Sequence, residues 1–363
     1  MQGSSNKVIF DNRRNREFSI TVKQRINAYF EERGLSKHAD RAMVVKTVVM
    51  FALFAGPYAL IISGVLPLWG MWLMCVVMGL GMAGVGFSVA HDALHGAYSS
   101  NKRVNNLLGM SFDLMGANSY MWKIIHNVIH HTYTNIHGHD RDLEIGFFVR
   151  LSPQTEHHWI HRAQHVLAFV AYSFATLFWV FVKDYKGFFR REMGPYRNKF
   201  HPPKEWVVLA ATKAFYYGYT IVVPLLVLDI MWWQFLIGFL TFHLTAGLVL
   251  GVIFQLAHVV EGTEFPEPTE EDRIEEHWLI HQMQTTSNFA RENKPLSWFI
   301  GGLNFQVEHH LFPGVCSIHY PKIAPIVERT AREFGVPYNC HATFRDAVRS
   351  HYQTLVRFGR ASQ

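Results

Sequence analysis

Long runs of apolar residues dominate the hydrophobic pattern along the chain. Four runs contain the roughly 20 predominantly apolar residues that a helix needs to cross a bilayer. They lie at about 43–63, 66–90, 207–228 and 232–257. A fifth run, at about 163–182, is nearly as apolar. Lys46 and Lys213 stand near one end of their runs, where an ammonium group can extend to the interface. The pattern predicts an all-α integral membrane protein with four transmembrane helices.

The charges between the runs predict how these helices are oriented. Lysine and arginine are concentrated in the N-terminal tail and in residues 183–206, and short basic loops usually stay in the cytoplasm. The second stretch contains Lys183, Lys186, Arg190, Arg191, Arg197, Lys199 and Lys204. Both stretches lie on one side if the four helices form two hairpins and 163–182 is a re-entrant or interfacial helix. A fifth span is the alternative.

This arrangement predicts one membrane domain over residues 1–363 with a helical cytoplasmic cap. The cap comprises residues 91–162, 183–206 and 258–363, and both termini are expected in the cytoplasm. No early apolar run of the signal-peptide kind is found. Two amphipathic helices are predicted from the positions Phe18, Val22, Ile26 and Phe30, and Ile323, Val327, Ala331 and Phe334. The first is expected to lie on the membrane surface and to end at Gly34.

Composition narrows the class of protein. Only 17% of the 363 residues are charged, against about 25% in soluble domains, and 49% are hydrophobic. Three widely spaced cysteines without a C-x-x-C pair exclude a disulfide scaffold and give no support to a zinc ribbon. The net charge is +6, but the chain is too apolar for a nucleic-acid-binding protein. The remaining anomaly is the count of 22 histidines.

One motif is better explained by helix packing than by cofactor binding. Gly79, Gly81 and Gly84 match the dinucleotide-binding string G-x-G-x-x-G. They lie inside a continuous apolar helix with no preceding strand, so we expect them to let membrane helices approach closely.

Histidines gather in three short boxes near the ends of the apolar runs. The boxes contain His91 and His95, then His126, His130 and His131, then His309 and His310. Histidines four residues apart share one face of a helix and can converge on one metal ion. The predicted topology brings all three boxes to one side of the membrane.

The number of imidazoles predicts two metal ions. A catalytic zinc needs three protein ligands and a structural zinc four, so seven candidates exceed one site. Imidazole suits zinc, copper, iron and nickel. Carboxylates are sparse in the boxes, which differs from the carboxylate-rich di-iron sites of four-helix bundles. A nitrogen-rich pair of irons that activates O₂ fits best, because no side chain can remove hydrogen from an unactivated alkyl chain.

The three boxes, their order and the two hairpins resemble the membrane fatty acid desaturase family. The resemblance extends from about residue 40 to about 340. It includes the stretches His130-His131-Thr-Tyr-Thr-Asn135, His281-Gln-Met-Gln-Thr-Thr-Ser-Asn288 and Asn304-Phe305-Gln306-Val-Glu-His309-His310. The superfamily also contains hydroxylases. Glutamine at the head of the third box is similar to front-end enzymes, which act between an existing double bond and the carboxyl end.

The resemblance implies a ligand set and supporting groups. The implied iron ligands are His91, His95, His126, His130, His131, His258, His309 and His310. Gln306 stands where the family usually has histidine. It can ligate weakly through its amide oxygen, hold a water, or support a ligating side chain without contacting the metal. His281 is a lesser candidate, which either orients a ligand or lines the entrance to the active site. Asp92, Asn127, Glu261 and Glu308 are candidates to accept imidazole N–H bonds.

The resemblance also implies the reaction and its partners. The family uses two Fe ions, O₂ and two electrons to introduce a cis double bond. The expected substrate is a long-chain acyl-CoA or acyl-lipid whose tail enters an apolar tunnel among membrane lipids. A His-Pro-Gly-Gly haem motif is not found. The electrons are therefore expected from a separate cytochrome b5, or from a ferredoxin with its reductase, and basic loops can attract such an acidic partner.

Three alternatives are open on the sequence alone. The same centre can hydroxylate a lipid if oxygen is transferred to the carbon instead of a second hydrogen being removed. A zinc-dependent membrane hydrolase or a receptor-like protein needs about three histidine ligands. A non-catalytic protein with a degenerate site is the third. Product analysis separates the first alternative, and metal analysis separates the second.

Overall fold

Helices form most of the described chain. The computed structural model describes residues 7–143, 146–190, 192–193, 196–197 and 200–360. Arg191 and Lys199 of the predicted basic stretch lie outside the described residues. Among the described residues, two small parallel sheets join distant segments, Ile9–Phe10 with Arg273–Ile274 and Ser287–Phe289 with Asn339–His341. Glu192–Met193 pairs antiparallel with the nearby Tyr196–Arg197.

In the described part of the chain, four helices are long and apolar enough to cross a membrane, as the sequence predicts. These four spans are Arg41–Ile62, Leu68–Leu94, Pro203–Val227 and Trp232–His258. The helical segments Trp159–Ser173 and Ala175–Phe189 meet the same test only as a pair bent by 58°. A bent pair is compatible with a broken span or a re-entrant segment, so the assignment of 163–182 stays a prediction.

Glycines bring the second span into contact with two neighbours. A Cβ atom on Gly81 would lie 2.5 Å from the carbonyl of Leu53 in the first span. A Cβ atom on Gly79 would lie 2.6 Å from the carbonyl oxygen of Phe242 in the fourth span. Both distances are shorter than any real contact, so only glycine fits. The interpretation of this motif as a helix-packing feature is confirmed.

The two lysines in the spans are buried in protein, which corrects the expectation that they extend to the interface. The ammonium of Lys213 donates to Asp184 at 2.8 Å and to the carbonyl oxygens of Gly116 and Val180. Lys46 is also buried, with its ammonium 5.9 Å from the ring centre of Trp298. An apolar pattern shows where a lysine lies along a span but not that another segment carries its partner.

The N-terminal amphipathic helix is covered by protein, and the prediction that it lies on the membrane surface was wrong. It runs over Arg16–Glu32 and ends with Gly34 at a φ of +59°, as expected. Its apolar face is buried with the helix Tyr320–Glu333. Amphipathicity records that a face must be covered, but lipid and a second helix satisfy it equally.

Shorter helices build the region that follows the second and fourth spans. The α-helical ones not named above are Lys102–Gly109, Ser111–Leu114, Ser119–Trp122, His131–Tyr133, Trp278–Thr285, Lys294–Phe299, Gln306–Leu311 and Phe344–Phe358. Tight 3₁₀ turns occupy Arg141–Leu143, Trp159–Ala163 and Ser317–His319. Wider π-type turns occupy Gly86–Ala90, Lys123–His130, Trp179–Lys183 and Gly218–Val222. Such wide turns occur often at functional sites, and the first two adjoin or contain histidine boxes.

Candidate metal centre

The first histidine box continues the second span through a wide turn. Gly86–Ala90 leads directly into the single turn His91–Leu94. Gly301, at a φ of +63°, packs on the outside of this turn, and a Cβ atom there would lie 2.6 Å from the carbonyl oxygen of Phe87. The box is therefore held against the loop that precedes the third box.

The second box lies on a helix that is wide along its whole length. Residues Lys123–His130 form π-type turns, which hydrogen-bond from i to i+5. A turn longer than four residues brings the positions i, i+4 and i+5 to the same side. His126, His130 and His131 have this spacing, so all three imidazoles can face one centre.

The third box and the end of the fourth span complete the centre. His309 and His310 lie in the short helix Gln306–Leu311, and His258 is the last residue of the fourth span. Asn288, from the strand Ser287–Phe289, accepts a hydrogen bond from the backbone N–H of Val307 at 2.9 Å. This bond fixes the start of the short helix relative to the strand.

The structure brings all eight predicted ligands together in overlapping groups. The first metal group is His91, His95, His126 and His309, and the second metal group is His130, His258 and His310. His131 forms a third group with His309 and His310, between the other two. Within each group, the candidate ligand atoms lie within 4.8 Å of one another. The first and second metal groups can each hold one ion, and His131, with His309 and His310, joins the two groups.

Ring contacts show how closely the imidazoles approach. The ring centres of His91 and His309 are 4.5 Å apart, and those of His130 and His258 are 4.7 Å apart. His131 lies 4.3 Å from His310 and 4.7 Å from His309. Buried imidazoles at these distances need partners for their nitrogens, and a metal ion can supply them.

The hydrogen bonds of the rings fit a metal-binding role. Nε2 is buried without a hydrogen-bond partner among the described residues in seven of the eight rings, all except that of His91. In five rings, the other nitrogen has an acceptor: His126, His130, His258, His309 and His310. Ligating histidines usually hold their second N–H this way. The donor set, all nitrogen, suits iron, zinc, copper or nickel.

The acceptors come from segments distant in sequence. Carboxylate oxygens of Asp142 and Asp140 lie 3.2 and 2.9 Å from Nδ1 of His126 and His130. The next three acceptors are a carbonyl, a hydroxyl and an amide. His258 bonds to the carbonyl oxygen of Thr285 at 3.2 Å, His309 to the Tyr320 hydroxyl at 3.2 Å, and His310 to the Gln282 amide oxygen at 2.7 Å.

Burial favours the neutral form of four of the clustered rings. It lowers the pKa of His95, His131, His309 and His310 well below the usual value, and repulsion between neighbouring imidazoles lowers it further. Metal ligation requires the neutral form of histidine. The centre is therefore ready to bind cations at physiological pH without first losing protons from these rings.

The expectation that Asp92, Asn127, Glu261 and Glu308 accept imidazole N–H bonds was wrong: none of them does so among the described residues. Oδ1 of Asp92 is 3.8 Å from Nδ1 of His91, beyond a hydrogen bond, while Oδ2 accepts from Ser317 and Cys316. Asn127 donates to the carbonyl oxygen of Leu94 at 2.9 Å. Asp92 and Asn127 therefore join segments of the centre.

The other two predicted acceptors lie away from the rings. The carboxylate of Glu308 accepts from Tyr338 and Asn288, both at 2.8 Å. Burial raises the pKa of Glu308 to about 7, although these two hydrogen bonds act in the opposite direction. Glu261 is exposed. In a short helix, Glu308 faces away from its neighbour His309 because adjacent residues point in different directions.

His281 and Gln306 are buried, as a supporting role requires. The ring of His281 lies 5.1 Å from that of Phe10, and neither of its nitrogens has a hydrogen-bond partner in the described part of the chain. His281 is not in any of the three groups. Gln306 begins the helix Gln306–Leu311, three and four residues before His309 and His310, and so shares their face.

Sequence reasoning missed the residues that orient the ligands: Asp140, Asp142, Gln282, Tyr320 and Trp278. The indole N–H of Trp278 donates to the carbonyl oxygen of His131 at 3.1 Å. A signal was available for the two aspartates, since His139-Asp140-Arg141-Asp142 closely follows the second box. Tyr320, Gln282 and Trp278 carry no local pattern of this kind.

The sequence is similar to known proteins along nearly its whole length. Residues 67–342 match the family model described as fatty acid desaturase. The sn-1 linoleoyl-lipid 6-desaturase of Arthrospira platensis is 38% identical, in an alignment covering 98% of this chain and 95% of that protein. A protein of the same description from Synechocystis sp. is 39% identical, with 96% and 97% covered. The acyl-lipid (8-3)-desaturase of Physcomitrium patens is 34% identical, with 95% and 72% covered.

These matches agree with the resemblance that the histidine boxes suggested. The family model covers well over half of the chain, and two relatives align with nearly all of it. The chain belongs to the fatty acid desaturase family and is an oxidoreductase of lipid metabolism.

Proposed function

We propose that this enzyme introduces a cis double bond into an acyl chain of a membrane glycerolipid, between an existing double bond and the carboxyl end. The observation that carries the proposal is the set of eight imidazoles in two metal groups linked by His131. The relatives add the substrate class, because their names describe acyl-lipid desaturases, two of them 6-desaturases of linoleoyl lipid. Gln306, at the head of the third box, supports the front-end type.

Two iron ions are the proposed cofactor, and bound there they supply the O₂-activating chemistry that side chains lack. The overall reaction removes one hydrogen from each of two adjacent methylene groups. O₂ accepts the two electrons of those hydrogens and two more from an external carrier. With two further protons from water, it leaves as two water molecules. The carrier is a cytochrome b5, or a ferredoxin with its reductase.

The residues of the chain hold and orient the ligands of the proposed centre. Asp140, Asp142, Gln282 and Tyr320 each bind the N–H of one imidazole and so keep its other nitrogen directed at the ion. The second metal group is completely buried, which keeps water away from the reacting carbons. Fixed ligands and a dry site let the position of the acyl chain decide which carbons react.

An apolar cavity between the spans supports a long acyl substrate. It measures about 290 Å³, and its walls include Trp72, Met78, Phe239 and Phe242. Met78 and His91 are 13 residues apart in the second span, which corresponds to roughly 20 Å of helix. The cavity therefore lies at a distance from the metal centre that is comparable with the length of a long acyl chain.

The cytoplasmic side is the proposed location of the centre. Cys75 and Gly79 of the second span meet Gly238 and Phe242 of the fourth, so these two spans run in parallel. Gly81 and Gly84 meet Leu53 and Met50, so the first two spans are antiparallel. Parallel second and fourth spans support two hairpins with His91 and His258 at one end of the bundle. The basic tail and residues 183–206 favour the cytoplasm for that end.

Expression in a lipid-producing host fed with linoleate tests the proposal. We expect a new fatty acid two hydrogens lighter, esterified in glycerolipid, and about two iron atoms per purified chain. A His131→Ala variant serves as the inactive control, because both ring nitrogens of His131 lack hydrogen-bond partners in the described chain. A product heavier by one oxygen atom would identify a hydroxylase instead. One zinc per chain without iron would contradict the di-iron centre.

A further inference from the structure

A row of packed aromatic rings connects the outside of the molecule with the metal centre. The ring centre of Trp179 is 5.6 Å from that of Phe112, and Phe112 is 5.3 Å from Trp122. Trp122 stacks on His126, with ring centres 4.4 Å apart and planes inclined by 23°. It also lies 5.6 and 5.5 Å from His91 and His95. One indole thus contacts three of the four imidazoles in the first metal group.

The outer end of this row lies under a basic helix face. Trp179 is half-buried, and the ammonium of Lys183 stands 5.1 Å from its ring centre. Lys183 and Lys186 follow Trp179 by four and seven residues, so the three side chains share one face. Lys186 and, beyond it, Arg190 are exposed. One ammonium group therefore lies near the outermost ring, and two exposed cationic side chains lie beyond it.

A second connection runs from the same lysine to the same histidine. The Lys183 ammonium donates to Oδ1 of Asp142 at 3.0 Å, and Oδ2 of Asp142 lies 3.2 Å from Nδ1 of His126. Both the ring row and this polar chain therefore begin at Lys183 and end at His126. Two separate connections between one surface region and a predicted ligand are more than local stability requires.

The position of Trp179 is fixed by a buried ion pair. Its indole N–H donates to Oδ1 of Asp184 at 3.0 Å, and Oδ2 of Asp184 accepts from Lys213. Packing alone would be satisfied by any large apolar side chain. The structure instead uses aromatic rings at all three positions, in continuous contact, and electron tunnelling depends steeply on gaps of this kind.

We propose that the face formed by Trp179, Lys183 and Lys186 docks an acidic one-electron carrier protein, and that Trp179, Phe112 and Trp122 conduct its electron to the metal centre. The proposal rests on the proposed function, which requires two electrons from outside per double bond. The carrier is oxidised by one electron in each of two encounters, and the metal centre gains both. The rings are the medium of transfer and are unchanged after it.

Charge complementarity argues for a protein carrier. Soluble carriers meet their enzymes briefly and often, and opposite charges raise the rate of such encounters. An anionic lipid surface can also attract lysines. Attraction to lipid does not explain a row of aromatic rings that ends at three predicted ligands. The membrane is therefore the alternative occupant in the test.

Charge reversal at Lys186 tests the docking face. We expect Lys186→Glu to weaken binding of an acidic 2Fe–2S ferredoxin to the detergent-solubilised holoenzyme about tenfold, or about 1.4 kcal/mol, with a smaller salt dependence. The matched control is Lys322→Glu, an exposed lysine on the helix Tyr320–Glu333. Equal binding by the two variants would overturn the docking face. So would a Lys186→Glu defect seen only with vesicles of anionic phospholipid.

Ring removal tests the route. At saturating ferredoxin, we expect Phe112→Leu and Trp179→Leu to slow oxidation of pre-reduced ferredoxin at least tenfold, with unchanged iron content. Phe112 lies behind the docking face, so Phe112→Leu should also leave ferredoxin binding unchanged. Trp179→Phe should recover most of the rate. Trp159→Leu is the control, because this tryptophan is 78% exposed and outside the row. Phe112→Leu keeps the test valid if loss of the Asp184 hydrogen bond unfolds Trp179→Leu.

A small reductant separates the route from the chemistry. Dithionite should reduce the metal centre of every variant at the wild-type rate, since it needs no docking face. Slow reduction by dithionite as well would mean damage to the centre, and wild-type ferredoxin rates in both leucine variants would mean another route; either result would overturn the proposal. Failure of the proposed function would look different: the wild-type protein would lack iron or leave linoleate unchanged.

Discussion

The two metal groups differ in how firmly their imidazoles are held. In the second metal group, Nδ1 of every ring has an acceptor within 3.2 Å. In the first metal group, such an acceptor is described for His126 and His309. Nδ1 of His91 has no hydrogen-bond partner among the described residues. Hydrogen bonds therefore fix the imidazoles of the second metal group more completely than those of the first.

Burial differs in the same direction. His130, His258 and His310 are each 0% exposed, whereas His95 in the first metal group is only half-buried. Rings that are both buried and hydrogen-bonded are preorganised for an ion. We expect the second metal group to be the more rigid of the two candidate ion sites and the first metal group to be the more adaptable. Four substitutions, or pairs of substitutions, can break or sharpen this difference.

The largest effect is expected from removing one ligand of each group. His130→Ala and His309→Ala should each abolish desaturation, by more than the roughly 100-fold loss seen at the upper end for supporting residues. His130→Ala should also release its iron more completely, because the remaining pair is His258 and His310. Fatty-acid profiles and iron per chain are the measurements.

The control for both ligand variants is His157→Ala. His157 belongs to none of the three metal groups, and its ring bonds only to the carbonyl oxygen of Gly359 in the described chain. It should keep full activity and iron. Near-normal turnover in His130→Ala or His309→Ala would remove that residue from the ligand set.

The next effect compares the two aspartates behind the rings. Asp140 is buried and accepts from His130 and from the backbone N–H groups of Asn135 and Asp142. Asp140→Asn should weaken iron binding in the second metal group roughly 10–100-fold, the range typical of such partners. Asp142→Asn should cost less, since its carboxylate is partly exposed and shared with Lys183.

Competition with a chelator, followed by counting of the retained iron, measures this pair. Asp140→Glu is the matched variant that keeps the charge and should retain more iron than Asp140→Asn. Greater loss from Asp142→Asn than from Asp140→Asn would reverse the assignment of the rigid group.

A smaller effect is expected from the two neutral acceptors. Gln282 accepts from His310 at 2.7 Å and from the Thr134 hydroxyl at 2.9 Å, whereas Tyr320 is 3.2 Å from His309. Gln282→Leu should lower turnover roughly tenfold, and Tyr320→Phe should lower it less. Gln282→Glu keeps an acceptor and should recover part of the loss. Equal rates in the leucine and phenylalanine variants would show that the two groups do not differ in this respect.

The parts of the centre that could be predicted from sequence depend on local geometry. Histidines at i and i+4 share a helix face wherever the helix lies. Seven of the eight candidates therefore followed from the first two boxes and from the His309–His310 pair. The four spans followed from the length of the apolar runs. His258 needed the family resemblance, since one histidine at the end of a span has no spacing to recommend it.

The parts that could not be predicted depend on which segments meet. Nothing near Gln282 or Tyr320 in the sequence indicates that they contact His310 and His309. Glu308 was the obvious neighbour of the third box, yet it points at Asn288 and Tyr338. Lys213 shows the same limit: its partner Asp184 lies 29 residues earlier, on a segment whose fold the apolar pattern does not determine.

The smallest effect is expected from Gln306→His, at the boundary of the two groups. Gln306 shares a helix face with His309, of the first metal group, and His310, of the second. An amide is a weaker ligand than an imidazole, so glutamine at this position would bind an ion less firmly than histidine. If the amide only supports neighbouring ligands, the variant should keep turnover within a few-fold of wild type. This change is smaller than the roughly tenfold drop in turnover expected for Gln282→Leu.

The product and the iron content of Gln306→His must be measured together. Tighter iron binding with slower turnover would mean that the loose position is needed for reaction, which would extend the contrast between a rigid and an adaptable group to the third box. Gln306→Leu is the companion variant, because it keeps the volume and removes the amide. Complete inactivity of Gln306→Leu with full iron would instead make the amide itself essential, and the adaptable group would then depend on Gln306 rather than on the freedom of His91 and His95.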